Sequence, residues 1–169
     1  MCYATSLTKS ESEIREVTKR DFAIPVEYQE HYHINGFGKT NLHIITQDDP
    51  ELIYPANWGL IPRFAFEDPA GFKYNTLNAR SESIFKSNTY KESATSMRCL
   101  ILADGFFEPH HYNKKSQPYY CTLEGHKLFM FAGLYTALDE ELFTTTIITI
   151  PANDLFEKIH NGKKECHWF

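Results

Sequence analysis

The second residue of the chain is a cysteine, directly behind an initiator methionine. A small penultimate side chain normally permits removal of that methionine, which would leave Cys2 with a free α-amine. One residue then holds two nucleophiles, a nitrogen and a thiol sulfur joined through two carbons. An aldehyde condenses with the amine to an imine, and the thiol closes on the same carbon to a five-membered thiazolidine. The second step is intramolecular, so its effective concentration is very high. A cysteine at position two carries little weight by itself, and its meaning depends on what the rest of the chain supplies.

The other cysteines are Cys99, Cys121 and Cys166. None forms a C-x-x-C pair, so no disulfide framework is expected. Cys99 and Cys121 lie in strand-like apolar runs and read as small buried hydrophobes. His31-Tyr-His33 and His110-His111 raise the question of zinc, yet neither pair has Cys or carboxylate partners at ligand spacing. Cys166-His167 sits at the very end of the chain. No metal and no cofactor are expected, and no Gly-rich phosphate loop occurs.

The elements that must position Cys2 are those of a single domain. The chain has 169 residues, 17 Lys+Arg against 22 Asp+Glu, and a formal net charge of -5. A hydrophobic content of 42% and an aromatic content of 15% exclude a disordered chain. No apolar run reaches the ~18 residues of a membrane span, and the first residues open no signal peptide, so no membrane association and a cytoplasmic location are expected. The acidic balance argues against a broad basic surface that coats duplex DNA; any nucleic-acid site must be a local cleft.

Ser10-Glu-Ser-Glu13 is a capping box, and it predicts a short helix to about Arg20 with Ile14 and Val17 on its inner face. His31 to Thr40 is polar and glycine-bearing, and reads as a loop. Leu42 to Thr46 and Glu51 to Ala56 read as strands around an Asp48-Asp49-Pro50 turn. Trp58-Gly-Leu-Ile-Pro62 is an apolar elbow, and Arg98 to Ala103 is a strand running into Asp104-Gly-Phe-Phe-Glu108. Gln117 to Leu123 and Lys127 to Leu134 flank Glu124-Gly125-His126, a hairpin signature. Phe143 to Ile150 alternates Thr and Ile as a strand does, and Pro151 to Ile159 is a short helix with Asn153 as its cap and Asn161-Gly162 as its stop. Many short strands with a few helices imply an α+β fold on a mainly antiparallel, barrel-like β-sheet.

Several motifs fall in order: Cys2-Tyr3-Ala4, Trp58-Gly59-Leu60-Ile61-Pro62, Asn78-Ala79-Arg80-Ser81-Glu82, Arg98-Cys99-Leu100 through Ala103-Asp104-Gly105-Phe106-Phe107-Glu108, and Ile159-His160. This order resembles the SRAP family of abasic-site processing proteins, from Cys2 to His160. The resemblance implies that Cys2 crosslinks to the ring-opened sugar of an abasic site in single-stranded DNA during the SOS response. It implies associated lyase and autopeptidase activities in a monomer. Asn78 would hold the Cys2 amine or the sugar oxygen. Glu108, after two Phe residues, would be sheltered enough to shuttle protons. His160, near a helix C-terminus, would protonate a departing oxygen or phosphate. The planar fork of Arg80 suits a DNA phosphate. Trp58 to Pro62 would form a wall or wedge beside an unstacked site, with Phe107 beside it and Phe106 in the core. Arg63, Arg98, Lys163 and Lys164 are further backbone contacts to weigh.

The chain also departs from the family pattern. Tyr3-Ala4 stands where Gly-Arg is common, Gly36 to Thr40 lacks proline, and Pro109 stands where many members have Trp. After His160 a basic-Met-Pro-apolar stretch is expected. One back-translation of Lys164 to Phe169, read in a shifted frame, encodes Arg-Met-Pro-Leu-Val, so a frameshift and the loss of C-terminal strands are expected. Two rival readings remain: an N-terminal cysteine amidohydrolase, and an inactive single-strand-binding remnant.

Overall fold

Alternation of apolar and polar residues builds two sheets, and one of them closes on itself. The computed structural model describes residues 3–25, 28–113, 115–161 and 165–167. The chain begins with β1 (Ala4–Leu7) and α1 (Glu11–Thr18), then a two-residue strand β2 (Asp21–Phe22), β3 (His31–Asn35), β4 (Asn41–Thr46) and β5 (Leu52–Trp58). A long irregular segment leads to β6 (Asn78–Arg80) and α2 (Lys91–Ser96). There follow β7 (Arg98–Ala103), β8 (Gly105–Tyr112), β9 (Lys115–Cys121), β10 (Phe129–Ala137) and β11 (Phe143–Pro151), with α3 (Asp154–His160) and β12 (Glu165–His167) last.

The neighbours β11, β10, β7, β4 and β5 run antiparallel in that order, and β11 returns to β5 in parallel through Phe143–Thr145. The ring is therefore closed, and the α+β, barrel-like expectation holds. Ile44, Ala56, Ile101, Phe131 and Ile147 fill it without contact to solvent. The threonines of β11 belong inside because their hydroxyls find partners: Thr144 shares a 2.6 Å hydrogen bond with Thr136, and Thr145 donates to the Leu134 carbonyl at 2.9 Å. A second sheet, in the order β3-β1-β8-β9, leans on the ring. α1 covers the outside of the ring through Ile14, which packs with Leu7, Phe22, Ile45, Ile53 and Leu102.

The α1 capping box is present: the Ser10 hydroxyl accepts from Glu13 N–H while the Glu13 carboxylate accepts from Ser10 N–H, a device that stabilises a helix end by ~1 kcal/mol. Val17, however, is exposed, and Thr18 takes the inner position four residues after Ile14. His31 to Asn35 is a strand, not a loop. It is polar because it pairs with β1 at the sheet margin and buries only Ile34. The hairpin around Gly125 is also corrected: β9 pairs with β8 and β10 with β7 and β11, in different sheets. The turn that joins two paired strands, β8 and β9, lies instead at Asn113, which takes a positive φ of 47°. β4, β7 and β11 stand within a residue of where the sequence puts them; α3 starts at Asp154 rather than Pro151, which still belongs to β11, and Asn153 caps it by accepting from Phe156 N–H at 3.0 Å.

Candidate functional site

β8 sorts its side chains by alternation. Phe106 enters the core, stacking on Phe156 of α3 at 5.9 Å, and His110, on the same face, brings its Nδ1 to 2.6 Å from the Ile159 carbonyl at the other end of α3. Glu108 lies between them on that face, fully buried beneath α3. Phe107 points the other way, held between His33 and Tyr120, each at 4.8 Å. The core placement expected for Phe106 is observed, and Glu108 is far more sheltered than a solvated loop carboxyl.

The start of the chain is anchored to the same strand. Thr5 pairs with Phe106 and Ser6 with Gly105. Asp104, 1% exposed, accepts from the Ser6 hydroxyl at 2.7 Å and from both the Thr8 N–H and the Thr8 hydroxyl at 2.6 Å. Ser6 Oγ also lies 2.8 Å from the Tyr120 hydroxyl. Gly105 leaves space for the Tyr120 ring, which a Cβ here would meet at 2.4 Å. Ahead of β1, the Tyr3 carbonyl accepts from Gly36 N–H at 2.9 Å and the Tyr3 ring lies 5.1 Å from Phe37. Cys2 itself lies outside the described residues, as do Lys163 and Lys164, and of His160 only the backbone is described.

Asn78 opens β6, which pairs in parallel with β11, Asn78 opposite Ile147. Its backbone carbonyl accepts from Tyr90 Oη at 3.2 Å. Burial pushes the Tyr90 phenol up to about 12, so it remains a donor. The side-chain oxygen of Asn78 is screened from solvent, as is Oε2 of Glu108. Arg80, two residues on and so on the same face of β6, is exposed.

One apolar cluster joins these elements. It contains Leu77 before Asn78, Phe106 before Glu108, Ile159 before His160 and Tyr3 after Cys2. The four segments that carry the sequence-derived candidates thus pack on one core. Beside Leu77 opens a cavity of about 610 Å³, walled by Phe37, Phe72, Tyr74 and the Gly59–Ile61 turn. Lys39 and Lys73 line it, and among the described residues no carboxylate does. Phe64, Phe72 and Tyr74 form a chain of rings at 6.0 and 5.2 Å, and Tyr74 is 78% exposed. A chain of net charge -5 therefore presents a cleft whose charged side chains, among the described residues, are both positive.

Of the Trp58 to Pro62 segment, Trp58, Gly59 and Ile61 line the cavity. Trp58 is 2% exposed, and its indole N–H donates to the Leu77 carbonyl at 2.9 Å, so it supports the cavity from below. Gly59, at a φ of 130°, turns the chain outward. Pro62 is buried at the head of the 3₁₀ turn Arg63–Ala65. Arg63 is exposed, lies 3.2 Å from Glu92 and faces a neighbouring cleft with Phe64 and Lys91. Arg98 donates to the Gln47 side chain at 2.9 Å. The cavity-lining aromatics Phe37, Phe72 and Tyr74 and the lysines Lys39 and Lys73 escape the motif reading. Their signal is a run of aromatics interleaved with basic residues in a segment with no helix or strand period.

Among the described residues no three His, Cys, Asp or Glu gather as a ligand set. Cys99 is a free buried thiol, pushed up to about 12 by desolvation, which suits a packing role.

A closed five-stranded barrel with a leaning sheet, in which the chain start, β6, β8 and α3 all pack on one apolar cluster, defines an α+β fold of mainly antiparallel strands. The chain belongs to the SRAP family: the model of the SOS response associated peptidase family matches residues 1–163. It is 33% identical over 167 residues to the abasic site processing protein YoqW of Bacillus subtilis (strain 168), covering 95% of this chain and 73% of that one. It is 32% identical over 139 residues to the abasic site processing protein HMCES of Xenopus tropicalis, covering 68% of this chain and 42% of that one. A crystal structure of a protein from Bacteroides thetaiotaomicron superposes with a TM-score of 0.87 at 30% identity, covering 98% of this chain and 75% of that one. No helix of the described residues is long and apolar enough to cross a membrane.

Proposed function

We propose that this protein captures abasic sites in single-stranded DNA as a covalent adduct of Cys2, once Met1 has been removed. The observation that carries the reading is the convergence of the segments bearing Cys2, Asn78, Glu108 and His160 on one apolar cluster, next to an aromatic cleft lined by lysines. The names of the relatives point the same way.

The chemistry follows from the groups. The Cys2 amine adds to the C1′ aldehyde of the opened sugar, and loss of water gives an imine. The thiol then adds to the imine carbon, its proton passes to nitrogen, and a thiazolidine results. Glu108, buried under α3, is suited to relay the protons of addition and dehydration away from bulk water. Asn78 offers an amide to the amine or the sugar oxygen, and His160 a proton to the departing group. From the imine, loss of the C2′ proton with departure of the 3′ phosphate gives a lyase side reaction. Hydrolysis of the Met1–Cys2 bond would be the autopeptidase step. Arg80 reaches a phosphate, while Phe37, Phe72 and Tyr74 stack on flanking bases of either identity. The chain acts as a cytoplasmic monomer.

The test is a denaturing gel. Uracil-containing single strands treated with uracil glycosylase should give a shifted band with wild type and none with Cys2→Ala. Amide turnover without DNA capture would favour an amidohydrolase instead. Salt-reversible binding that ignores the lesion would favour a simple strand binder.

A further inference from the structure

The His110-His111 pair, which the family motifs leave unused, grips the end of α3. His110 Nδ1 lies 2.6 Å from the Ile159 carbonyl, which can only accept, so Nδ1 carries the proton. At His111 the main chain is gripped by a side chain: Asn161 Nδ2 donates to the His111 carbonyl at 2.6 Å, and Asn161 Oδ1 accepts from His111 N–H at 2.9 Å. The amide thus imitates the donor and acceptor of a neighbouring strand. It has room to do so because β1 pairs with β8 only at Gly105 and Phe106. Asn161 holds this pose at a φ of 25°, its own N–H donating to the Glu157 carbonyl at 3.0 Å.

His160 stands between these two straps, one on the residue before it and one on the residue after. Both straps end on β8 within three residues of Glu108. We propose that Asn161, seconded by His110, is a positioning residue that fixes the His160 backbone over Glu108 and so sets the geometry of proton transfer. The inference rests on the proposed abasic-site chemistry. A bond-to-bond fit of this kind holds a reacting group to within an ångström, a displacement that alone changes rates by ~100-fold.

Single-turnover crosslinking with abasic single strands, followed from pH 5.5 to 9 on wild type, Asn161→Gly, His160→Ala and the double variant, tests it. Glycine accepts the positive φ, so the substitution removes the clamp without straining the turn. We expect Asn161→Gly to slow capture by about 10-fold, with a pH profile moved toward that of His160→Ala. The double variant should be no slower than His160→Ala, and affinity for an undamaged strand should hold. His110→Phe, which keeps the ring against Tyr119 and loses the donor, should act in the same direction if Asn161→Gly does not fold. Additive losses in the double variant, or full rate in Asn161→Gly, overturn the clamp while leaving the crosslinking reading intact. A wild type that makes no crosslink overturns both.

Discussion

Asp104 is the residue through which the position of the chain start can be tested. Its carboxylate receives three hydrogen bonds, two of them from Thr8 at 2.6 Å and one from Ser6 at 2.7 Å. Asp104→Asn retains an oxygen for Ser6 but turns an amide NH₂ toward the two Thr8 donors. Each hydrogen bond to a charged group contributes ~1.5–3 kcal/mol, and Thr8 is partly exposed, so water recovers some of the loss; the net cost is about 3 kcal/mol. For a domain of this size that corresponds to a fall in Tm of about 6–12 °C. β1 is short and pairs with β8 at only two positions, so loosening it should also slow crosslinking, by about 10-fold. Ser6→Ala, which removes one bond, should lose only ~1 kcal/mol. The assays are thermal melts and single-turnover capture on the same preparations. A variant melting within about 2 °C of wild type, or one much less stable with an undiminished capture rate at a temperature where it is folded, would show that this network does not place the chain start.

His43 is buried on the outer face of β4 against Phe22 and Tyr28, with neither ring nitrogen hydrogen-bonded. Burial first, and the nearby His31 second, push it down to about 4 from its ordinary 6.5. The unfolded chain therefore takes up a proton that the fold refuses. The stability penalty grows as pH falls from 6.5 to about 4 and reaches about 3 kcal/mol, at ~1.4 kcal/mol per tenfold. Denaturant titrations should show His43→Phe gaining on wild type by that amount between pH 7 and 4, and a pH-independent difference would rule the account out. In the cleft, Tyr74→Ala should weaken binding to an undamaged single strand by 1 kcal/mol or more, at ~1–3 kcal/mol per stacked base. Its Tm should not move, because the ring is exposed. Fluorescence anisotropy with a labelled oligonucleotide would register this, and unchanged affinity would remove Tyr74 from the strand path.

The parts of the fold legible in the sequence are those governed by neighbours along the chain. The Ser10–Glu13 box, the Asn153 cap and the Thr/Ile alternation of β11 each carry their cause within a few residues. The parts that were not legible depend on distant pairing. β3 has no apolar alternation because its partner β1 shields a single side chain, Ile34. The Glu124-Gly125-His126 turn does reverse the chain, but β9 and β10 leave it toward different sheets, and two apolar runs around a turn hold no record of that choice. Among site residues the difference is the same. Glu108 was visible as a carboxyl after an apolar run, yet its burial comes from α3, some fifty residues later. The Asn161 clamp was legible only as a helix stop.

The cleft sets the harder case. Between β5 and β6 the chain has no repeating period, so nothing local dictates which of its rings face inward. Ordinarily aromatic residues in such a segment are drawn into the core, since burying one stabilises by ~1.5–3 kcal/mol. Here the core is already full: Trp58 and Leu77, at the two ends of the segment, occupy the apolar cluster and bond to each other. Phe64 and Tyr74 are left outside, with Phe72 between them. Their exposure forgoes burial energy that a sequence free to vary would recover by polar substitution. That forfeited energy, beside lysines in an otherwise acidic chain, is the physical reason to regard the segment as a surface awaiting flat apolar partners joined by negative charge.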